Sequence, residues 1–347
     1  MNVFIGLDVS LASTAICAVT AQGKITHAIS ASSEPEALVK SLKKIEGTIL
    51  CVGLEAGPLS QWLHKHLKEA SFDVVLMETR QVKSVLKAMP IKSDQRDAEG
   101  IARLLQTGWY RPVHCKSVSS QEMRVLLTTR RSLQQAMLNL ELSVRGVLRN
   151  FGLKVGKVSK GQYVARIREL AVGNPALELA TTAILRARAA LKEQFSEVDR
   201  QLLALAKHDP VCELLMTMPG VGPIVALTVK SAIDDPNRFK SSKDVGAWAG
   251  LIPKRNQSGE MDIVGRITKT GDAALRTALF QAATVMLSRG KANWLLAWAL
   301  RVAARRGKKR ATVGLARRMC VVLHNMWKHG TSFEITRDAA TTASSPN

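Results

Sequence analysis

Four acidic residues occupy positions at which carboxylates could do chemistry. Asp8 follows the apolar run that predicts the first strand, and Glu55 follows a second run at Thr48–Leu54. Asp94 and Asp97 are three residues apart in a predicted helix, so both side chains can point to one side. The chain as a whole has a formal charge of +22, and a local group of acids is therefore conspicuous.

If that helix packs beside the ends of the two strands, the four carboxylates converge. Such a group cannot stay ionised unless cations neutralise it. Mg²⁺ suits oxygen ligands, and two ions about 3.5–4 Å apart activate both the attacking and the leaving oxygen of a phosphodiester. We therefore predict that the four acids are catalytic and bind Mg²⁺, two ions per site.

Taken singly, three of these acids have ordinary structural explanations. Asp94 is a preferred residue for the N-cap of a helix. Asp97 could pair with Arg96 or Arg103 on the solvent side, and Glu55 could cap the helix that follows it. The acid that ends the first strand has no such use, so the joint arrangement carries the prediction.

A serine in a polar segment is the second candidate for chemistry. Ser258 lies in a predicted loop, residues 254–259, after Lys254 and Arg255 and before Gly259. Glycine allows a tight turn, but a serine hydroxyl is a poor nucleophile unless a base, a cation or a metal activates it. On its own, Ser258 is an ordinary loop serine. Ser241 and Ser242, which precede Asp244, are instead predicted to start a helix.

Two kinds of segment are predicted to contact nucleic acid. The glycine-rich turn that contains Gly220 and Gly222 could hold a phosphate on its backbone N–H groups, although it could equally be a tight connection between helices. Concentrations of basic residues predict phosphate contacts or, alternatively, a solvated face. They are Arg130, Arg131, Arg145 and Arg149 on one long helix, and Arg305, Arg306, Lys308, Lys309 and Arg310 near the C-terminus.

The elements that must position these residues follow from the apolar pattern. The first 110 or so residues predict a three-stranded meander and then alternating helices and strands, which implies a mixed sheet covered by helices. Ser33 and Glu36 form a capping box that would start the first helix. The predicted strands are Val3–Val9, Ser13–Thr20, Lys24–Ser30, Thr48–Leu54 and Phe72–Glu78, and the later helices are Leu59–Ala70, Arg80–Met89 (ended by Pro90) and Asp94–Gln106.

Beyond Lys116 the pattern is helical. Ser120–Asn150 and Ala176–Lys207 predict two long amphipathic helices on either side of a break at Gly152–Gly161. They would form a helical hairpin or an intermolecular coiled coil. We therefore predict an α/β domain followed by all-α segments.

At this point the residues resemble a known family. Asp8 in IGLDVS, Glu55 in LEAG and the pair in KSDQRDAEGIARLL resemble the DEDD motif of bacterial insertion-sequence transposases, a family that includes the Piv invertase. The resemblance extends to about Gly330. Its C-terminal part is carried by Gly250-Leu251-Ile252-Pro253, Ser258-Gly259, Lys269-Thr270-Gly271 and Leu275-Arg276.

The resemblance implies a fold and a mechanism. The N-terminal domain would be RNase H-like and similar to RuvC-type resolvases, with the DEDD tetrad binding Mg²⁺. Ser258 would attack the scissile phosphate and form a phosphoserine link to DNA. Phosphate contacts would come from Lys254, Arg255, Arg266, Lys269 and Arg276.

The resemblance also implies partners. A structured guide RNA would pair with double-stranded target and donor DNA, and the active sites would be composite in a homodimer or homotetramer. The implied divisions are residues 1–157 (RuvC-like with a helical extension), 158–208 (coiled-coil linker), 209–335 (serine-bearing transposase domain) and 336–347 (flexible tail).

Composition limits the alternatives. The sequence has 50 basic and 28 acidic side chains, and an excess of this size needs a polyanion as partner. The sequence has no uncharged apolar run long enough to span a bilayer. Five widely spaced cysteines indicate reduced thiols, so we predict a cytoplasmic protein that acts at the nucleoid. A metal-dependent junction nuclease that uses activated water, and a non-catalytic RNA-binding scaffold, remain alternatives. A sugar-kinase-like ATPase lacks its D-x-G-[ST] loops here.

Overall fold

The structure is a computed structural model that describes residues 1–88 and 91–336. It contains two compact units, Met1–Lys116 and Ser117–Asn347. The predicted divisions at residues 157 and 208 both fall inside the second unit and stay predictions. The predicted helix end at Met89-Pro90 and the predicted tail from residue 337 lie outside the described residues.

The first unit is built on a five-stranded sheet in the order β3-β2-β1-β4-β5. Strand β2 is antiparallel to β1 and β3, and β1, β4 and β5 are parallel. This mixed sheet confirms the predicted α/β class, and its order and directions agree with the RNase H-like fold that the resemblance implied. The strands are β1 Asn2–Val9, β2 Ser13–Thr20, β3 Ile25–Ser32, β4 Thr48–Glu55 and β5 Val74–Met77.

The helices that accompany the sheet in the described residues are α1 Pro35–Leu42, α2 Ser60–Glu69, α3 Thr79–Leu86 and α4 Asp94–Thr107. The predicted capping box of the first helix is wrong. Glu34 is the N-cap of α1 and makes no side-chain cap. The hydroxyl of Ser33 instead donates to the carbonyl of Ser10 at 2.8 Å, so it ties the β1–β2 turn to the end of β3.

The two faces of the sheet bury different side chains. Val3, Ile5 and Leu7 of β1 belong to the core that includes residues of α1 and α2. On the opposite face, α4 lies against β1 and β2, where Ala98 and Ala102 join a small core with residues of β2. Side chains alternate between the faces of a strand, so the residues of β1 with even numbers face α4.

The second unit is mostly helical, as predicted. Its elements are α5 Val118–Asn150, α6 Tyr163–Ala171, α7 Pro175–Lys207, α8 Pro210–Met216, α9 Pro223–Ile233, a 3₁₀ turn at Pro236–Arg238, α10 Ser242–Trp248, β6 Pro253–Ser258, β7 Met261–Ile267, α11 Ala273–Arg289, α12 Trp294–Arg306 and α13 Lys308–His329. In the part of the chain that the structure describes, no helix has the length and apolarity needed to cross a membrane.

Helices α5 and α7 pair within the chain as an antiparallel hairpin. Ion pairs join Arg130 to Asp199 and Arg188 to Glu141 along its length. The sequence did not predict α6, a helix of 9 residues that buries Tyr163 and Ile167 against this hairpin. A helix this short gives few periods of apolar spacing, so its pattern is hard to tell from a loop.

The contact between α4 and β1 leads to a prediction. A Cβ on Gly6 would lie 2.1 Å from the carbonyl oxygen of Ala98 and 2.4 Å from the amide nitrogen of Ala102. Both are backbone atoms, so Gly6→Val should destabilise the fold by about 3 kcal/mol in urea unfolding. The control is Gly146→Ala, near the C-terminal end of α5, where a Cβ would meet nothing within 4 Å; this variant should be neutral or stabilising. Equal stability of the two variants would show that the contact is absent.

Candidate active site

Strands β1 and β4 carry the same three-residue pattern, glycine-leucine-acid. Gly6 is opposite Gly53 in the parallel register, and Leu7 is opposite Leu54. Each acid therefore lies two residues beyond a glycine and on the same face of the sheet as that glycine. The leucines point to the other face, where they are fully buried. Asp8 and Glu55 consequently end neighbouring strands side by side.

The glycines allow α4 to lie directly on this face. A Cβ on Gly53 would come within 2.7 Å of Leu105 Cδ1, just as one on Gly6 would collide with the backbone of α4. Ala98 contacts Gly6, and α4 begins one turn before Ala98. That first turn contains Asp94 and Asp97, so the packing brings it towards the two strand-end acids.

The ordinary explanations for the acids of α4 do not hold. Ser93, not Asp94, is the N-cap, and its hydroxyl accepts from the amide of Arg96. Arg96 and Arg103 form their ion pairs with Glu99, at 4.0 and 2.7 Å, and Asp97 takes part in neither pair.

The capping role considered for Glu55 is also wrong. Leu59 is the N-cap of α2, and no side chain caps that helix. The three acids that had ordinary explanations are therefore left without them, as Asp8 was from the start.

The charges of the other three acids act on Asp8. The pKa of Asp8 is raised to about 6, first by burial and then by the negative charges of Asp97, Asp94 and Glu55, against a smaller lowering by Lys92. Each of the other three acids thus disfavours the ionisation of Asp8.

Glu55 has a more mixed environment. Burial raises its pKa and Asp97 adds to the rise, while Lys83 and the hydroxyl of Thr79 lower it. Sequence reasoning missed Lys83, Lys92 and Thr79 as neighbours of the acids. Lys92 is two residues before Asp94, and that proximity could have revealed it.

The donor set fits hard divalent cations in chemistry, because it consists of carboxylate oxygens under mutual repulsion. Among the described residues, however, no three Asp, Glu, His or Cys side chains converge closely enough to hold a metal ion. Binding would therefore require the carboxylates to rotate inward. Such rotation is open to Asp94, which is exposed, and to the half-buried Asp8 and Asp97.

Ser258 lies at the tip of a β-hairpin, not in a loop. It ends β6 and pairs with Met261 of β7 across a two-residue turn, Gly259-Glu260. Gly259 has a φ of +55°, a conformation that glycine adopts without strain. All residues of β6 are exposed, and no hydrogen bond involves the Ser258 hydroxyl within the described residues.

The base of this hairpin is held by the two glycine motifs that flank it. A Cβ on Gly250 would meet the carbonyl of Thr270 at 2.1 Å, and one on Gly271 would meet that of Trp248 at the same distance. Arg276 donates to the carbonyls of Ala249 and Thr270. The phosphate contact predicted for Arg276 is therefore opposed by a structural role, since its guanidinium holds these two turns together.

The other basic residues divide into engaged and exposed groups. Arg130 is paired with Asp199 and covers the ring of Phe195. Arg145 donates to the carbonyl of Gly156. Arg255 forms a bidentate pair with Asp262 of β7 at 2.7 and 2.6 Å. Arg149 is exposed, but its Nε donates to the carbonyl of Arg145 at 3.0 Å. The remaining exposed group is Arg131, Lys254, Arg266, Lys269, Arg305, Arg306, Lys308, Lys309 and Arg310.

The glycine turn between α8 and α9 has a packing explanation. A Cβ on Gly220 would lie 2.5 Å from the carbonyl of Ala282 in α11, whereas one on Gly222 would meet nothing within 4 Å. The close approach that Gly220 permits is thus to a helix of the same chain. Phosphate binding by this turn stays a prediction.

Two family models match the chain. One, described as a transposase of the DEDD and IS110 type, matches residues 5–152, and the other, described as the transposase IS116/IS110/IS902 family, matches residues 212–298. The first range contains all four acids, and the second contains the serine hairpin.

Individual relatives agree with these matches. The chain is 27% identical over 327 residues to the transposase for insertion sequence element IS1111A of Coxiella burnetii, covering 92% of this chain and 88% of that protein. It is 26% identical over 239 residues to the transposase for element IS1328 of Yersinia enterocolitica, covering 69% and 71%. A pilin gene-inverting protein of Moraxella bovis is 31% identical over 99 residues, or 27% of this chain and 31% of that protein.

Among solved structures, T. thermophilus RuvC in complex with a Holliday junction substrate aligns with 15% identity and a TM-score of 0.26. The alignment covers 33% of this chain and 100% of that one. The fold assignment rests instead on the strand order and directions.

The field at Asp8 predicts how stability depends on pH and metal. Because the folded pKa is about 6 against an ordinary 3.8, the folded state binds the proton more tightly, and stability falls as pH rises from about 4 to 6. In EDTA at pH 7.5, Asp8→Asn should raise the free energy of unfolding by about 1–2 kcal/mol after solvent screening. The variant should therefore unfold at a higher temperature than the native protein.

The same thermal-unfolding measurement tests the metal. Mg²⁺ should raise the midpoint of the native protein and leave that of Asp8→Asn almost unchanged. Glu46→Gln removes an exposed acid elsewhere in the unit and should behave as the native protein does. A Mg²⁺ response that survives in Asp8→Asn would contradict binding at this site.

Proposed function

Because the chain belongs to the DEDD-type family of insertion-sequence transposases, which are enzymes that cleave and transfer DNA strands, we propose that its carboxylates and Ser258 act together on one phosphodiester. The observation that carries the proposal is the mutual field of Asp8, Glu55, Asp94 and Asp97 at the ends of β1, β4 and α4. Among the described residues, none of the four acids caps a helix, and the ion pairs of the neighbouring Arg96 and Arg103 go to Glu99.

The carboxylates would hold Mg²⁺, two ions per site. Asp8 and Glu55 are fixed by neighbouring strands, and the acids of α4 supply the more movable ligands. Ions bound there would neutralise charge on the phosphate and on the leaving oxygen. Lys92 and Lys83, which already lower the pKa of Asp8 and Glu55 respectively, would help to keep these acids ionised for binding.

The proposed covalent step uses the hydroxyl of Ser258. Its Oγ attacks the scissile phosphorus, an O–P bond forms, and the P–O bond to the departing DNA end breaks. The Oγ proton goes to solvent base, and the departing oxygen takes up a proton and becomes a free hydroxyl. In the reverse step a DNA hydroxyl attacks the phosphoserine, so the bond is remade without an external energy source.

The hairpin suits a nucleophile that must reach a large substrate. Ser258 is at the tip, its strands are exposed, and the base of the hairpin is fixed by the turns at Gly250 and Gly271. The pair between Arg255 and Asp262 bridges the two strands and limits their splaying. Among the described residues of the hairpin, no base contacts the Ser258 hydroxyl. Mg²⁺ held by the four acids would therefore assist the step by making the phosphorus more electrophilic.

Double-stranded DNA is the proposed substrate, with target and donor both bound. The end of α12 and the start of α13 present Arg305, Arg306, Lys308, Lys309 and Arg310 around Gly307, all of them exposed. Contacts from such residues go to phosphates and carry no sequence information. We therefore extend the proposal to a structured guide RNA that selects the sites by base pairing. We also propose that the protein acts as a homodimer or homotetramer.

The serine step has a direct test. Ser258→Ala should abolish the covalent protein–DNA adduct seen on denaturing gels with labelled substrate, because no other atom replaces the attacking Oγ. Ser119→Ala changes an exposed serine at the start of α5 and should leave the adduct at its native level. Asp97→Ala should abolish the adduct too.

Two outcomes would count against this assignment. Adduct formation by Ser258→Ala would exclude Ser258 as the nucleophile. Nicking by the native protein without any adduct, dependent on Asp97, would favour a junction nuclease that uses metal-activated water.

The basic turn between α12 and α13 predicts salt dependence. Lys308→Ala with Lys309→Ala should weaken duplex DNA binding and reduce the slope of log Kd against log salt by about 1.8, since each phosphate contact contributes about 0.9. Arg168→Ala with Arg186→Ala removes two exposed charges from α6 and α7 and serves as the control. An unchanged slope in the lysine variant would exclude this turn from the interface.

A further inference from the structure

A cleft of about 980 Å³ lies in the second unit, formed by the start of α10, by α12 and α13, and by the segment after α13. It contains neither Ser258 nor any of the four acids. Its volume is at the upper end of the range for sites that bind small molecules. The residues that line it have not been used by the proposed mechanism.

Aromatic rings form one wall of this cleft and are held in fixed orientations. The indole of Trp294 stacks on Phe333 at 6.4 Å with an interplanar angle of 15°, and its N–H donates to the carbonyl of Glu334 at 3.1 Å. The guanidinium of Arg318 lies 4.0 Å from the ring centre of Trp298. A guanidinium on an indole offers a flat, charged surface on which a base can stack.

The charge of the cleft is strongly positive. Among the described residues that line it, Lys243, Arg317 and Arg318 are basic and only Glu334 is acidic. The three basic residues are exposed. A ligand that satisfies this wall must therefore combine flat rings with negative charge.

The hydroxyl of Ser242 is a further polar group in the lining, and His324 fixes its direction. His324 is buried, and its Nε2 lies 2.8 Å from the carbonyl of Pro236, so Nε2 carries the proton. The Nδ1 of His324 is then a bare acceptor, and the hydroxyl of Ser242 donates to it at 2.8 Å. The lone pairs of the Ser242 oxygen remain available to accept a hydrogen bond from a ligand.

We propose that this cleft binds an unpaired nucleotide of a single-stranded nucleic acid. The base stacks against Arg318 and Trp298, the phosphates contact Lys243 and Arg317, and an N–H or O–H of the nucleotide donates to Ser242. The proposal rests on the proposed function only in taking a nucleic acid as the partner. It does not require Ser258 or the acids to be catalytic.

The test uses the full chain and fluorescein-labelled octamers of uridine (RNA) and thymidine (DNA), with affinity measured by anisotropy at constant salt. Trp298→Leu and Arg317→Glu should each weaken binding by about 10-fold, because stacking on a side chain and a phosphate contact are of that order. Arg317 is exposed, so that variant is expected to fold even if Trp298→Leu does not.

Matched controls separate the cleft from general charge and aromatic content. Arg168→Glu makes the same charge change on α6, and Trp62→Leu removes a partly exposed indole from the first unit. Both should bind the octamers within twofold of the native protein. The octamer that binds more tightly identifies the strand, and either preference supports the proposal.

Three results would overturn it. They are native affinity in both cleft variants, equal weakening by Arg168→Glu and Arg317→Glu, and displacement of the octamers by uridine monophosphate at equal concentration. Adduct formation on duplex substrate is measured in parallel with the same variants. A cleft variant that loses octamer binding but forms the Ser258 adduct separates this proposal from the proposed function.

Discussion

The contact between the backbone of α4 and Gly6 of β1 is the constraint on which the carboxylate site depends. The Cβ of any side chain at Gly6 would collide with the Ala98 carbonyl oxygen, 2.1 Å away. Without this contact α4 would sit farther from the sheet, and its first turn would lie away from the strand ends. The same helix crosses Gly53, so one packing event positions acids from three elements.

This arrangement has an energetic cost that points to its use. The negative charges of the other three acids help to raise the pKa of Asp8 in a fold that has many basic residues, yet Arg96 and Arg103 pair with Glu99 instead. A site that only stabilised the fold would bring opposite charges together. Repulsion at the end of a sheet is consistent with a site that awaits cations and an anionic substrate.

Much of the first unit could be predicted from the sequence because its elements follow clean periods. The strand pattern located Asp8 and Glu55 at strand ends, and the spacing of Asp94 and Asp97 put both on one helix. The Ser33 capping box failed because its hydroxyl found a tertiary partner in Ser10, which local spacing cannot reveal.

The second unit was harder to predict, for physical reasons that particular residues show. The strand that ends at Ser258 is polar and fully exposed, so it has no alternation of buried and exposed side chains to reveal it. Arg130 and Arg276 were grouped with phosphate-binding residues by type, but distant partners, Asp199 and the turn carbonyls, decide what they contact. Gly220 was selected for its motif, but its close approach to Ala282 of α11, 62 positions later in the chain, explains it.

The central claim is that the strand-end acids and the first turn of α4 gather divalent cations. Anomalous diffraction from a crystal soaked in Mn²⁺ tests it most directly, because each ion then marks its own position. We expect peaks about 2 Å from carboxylate oxygens of Asp8, with Asp97 and Glu55 as further ligands. Mn²⁺ bound only elsewhere, or no peak beside Asp8 at millimolar Mn²⁺, would contradict the account.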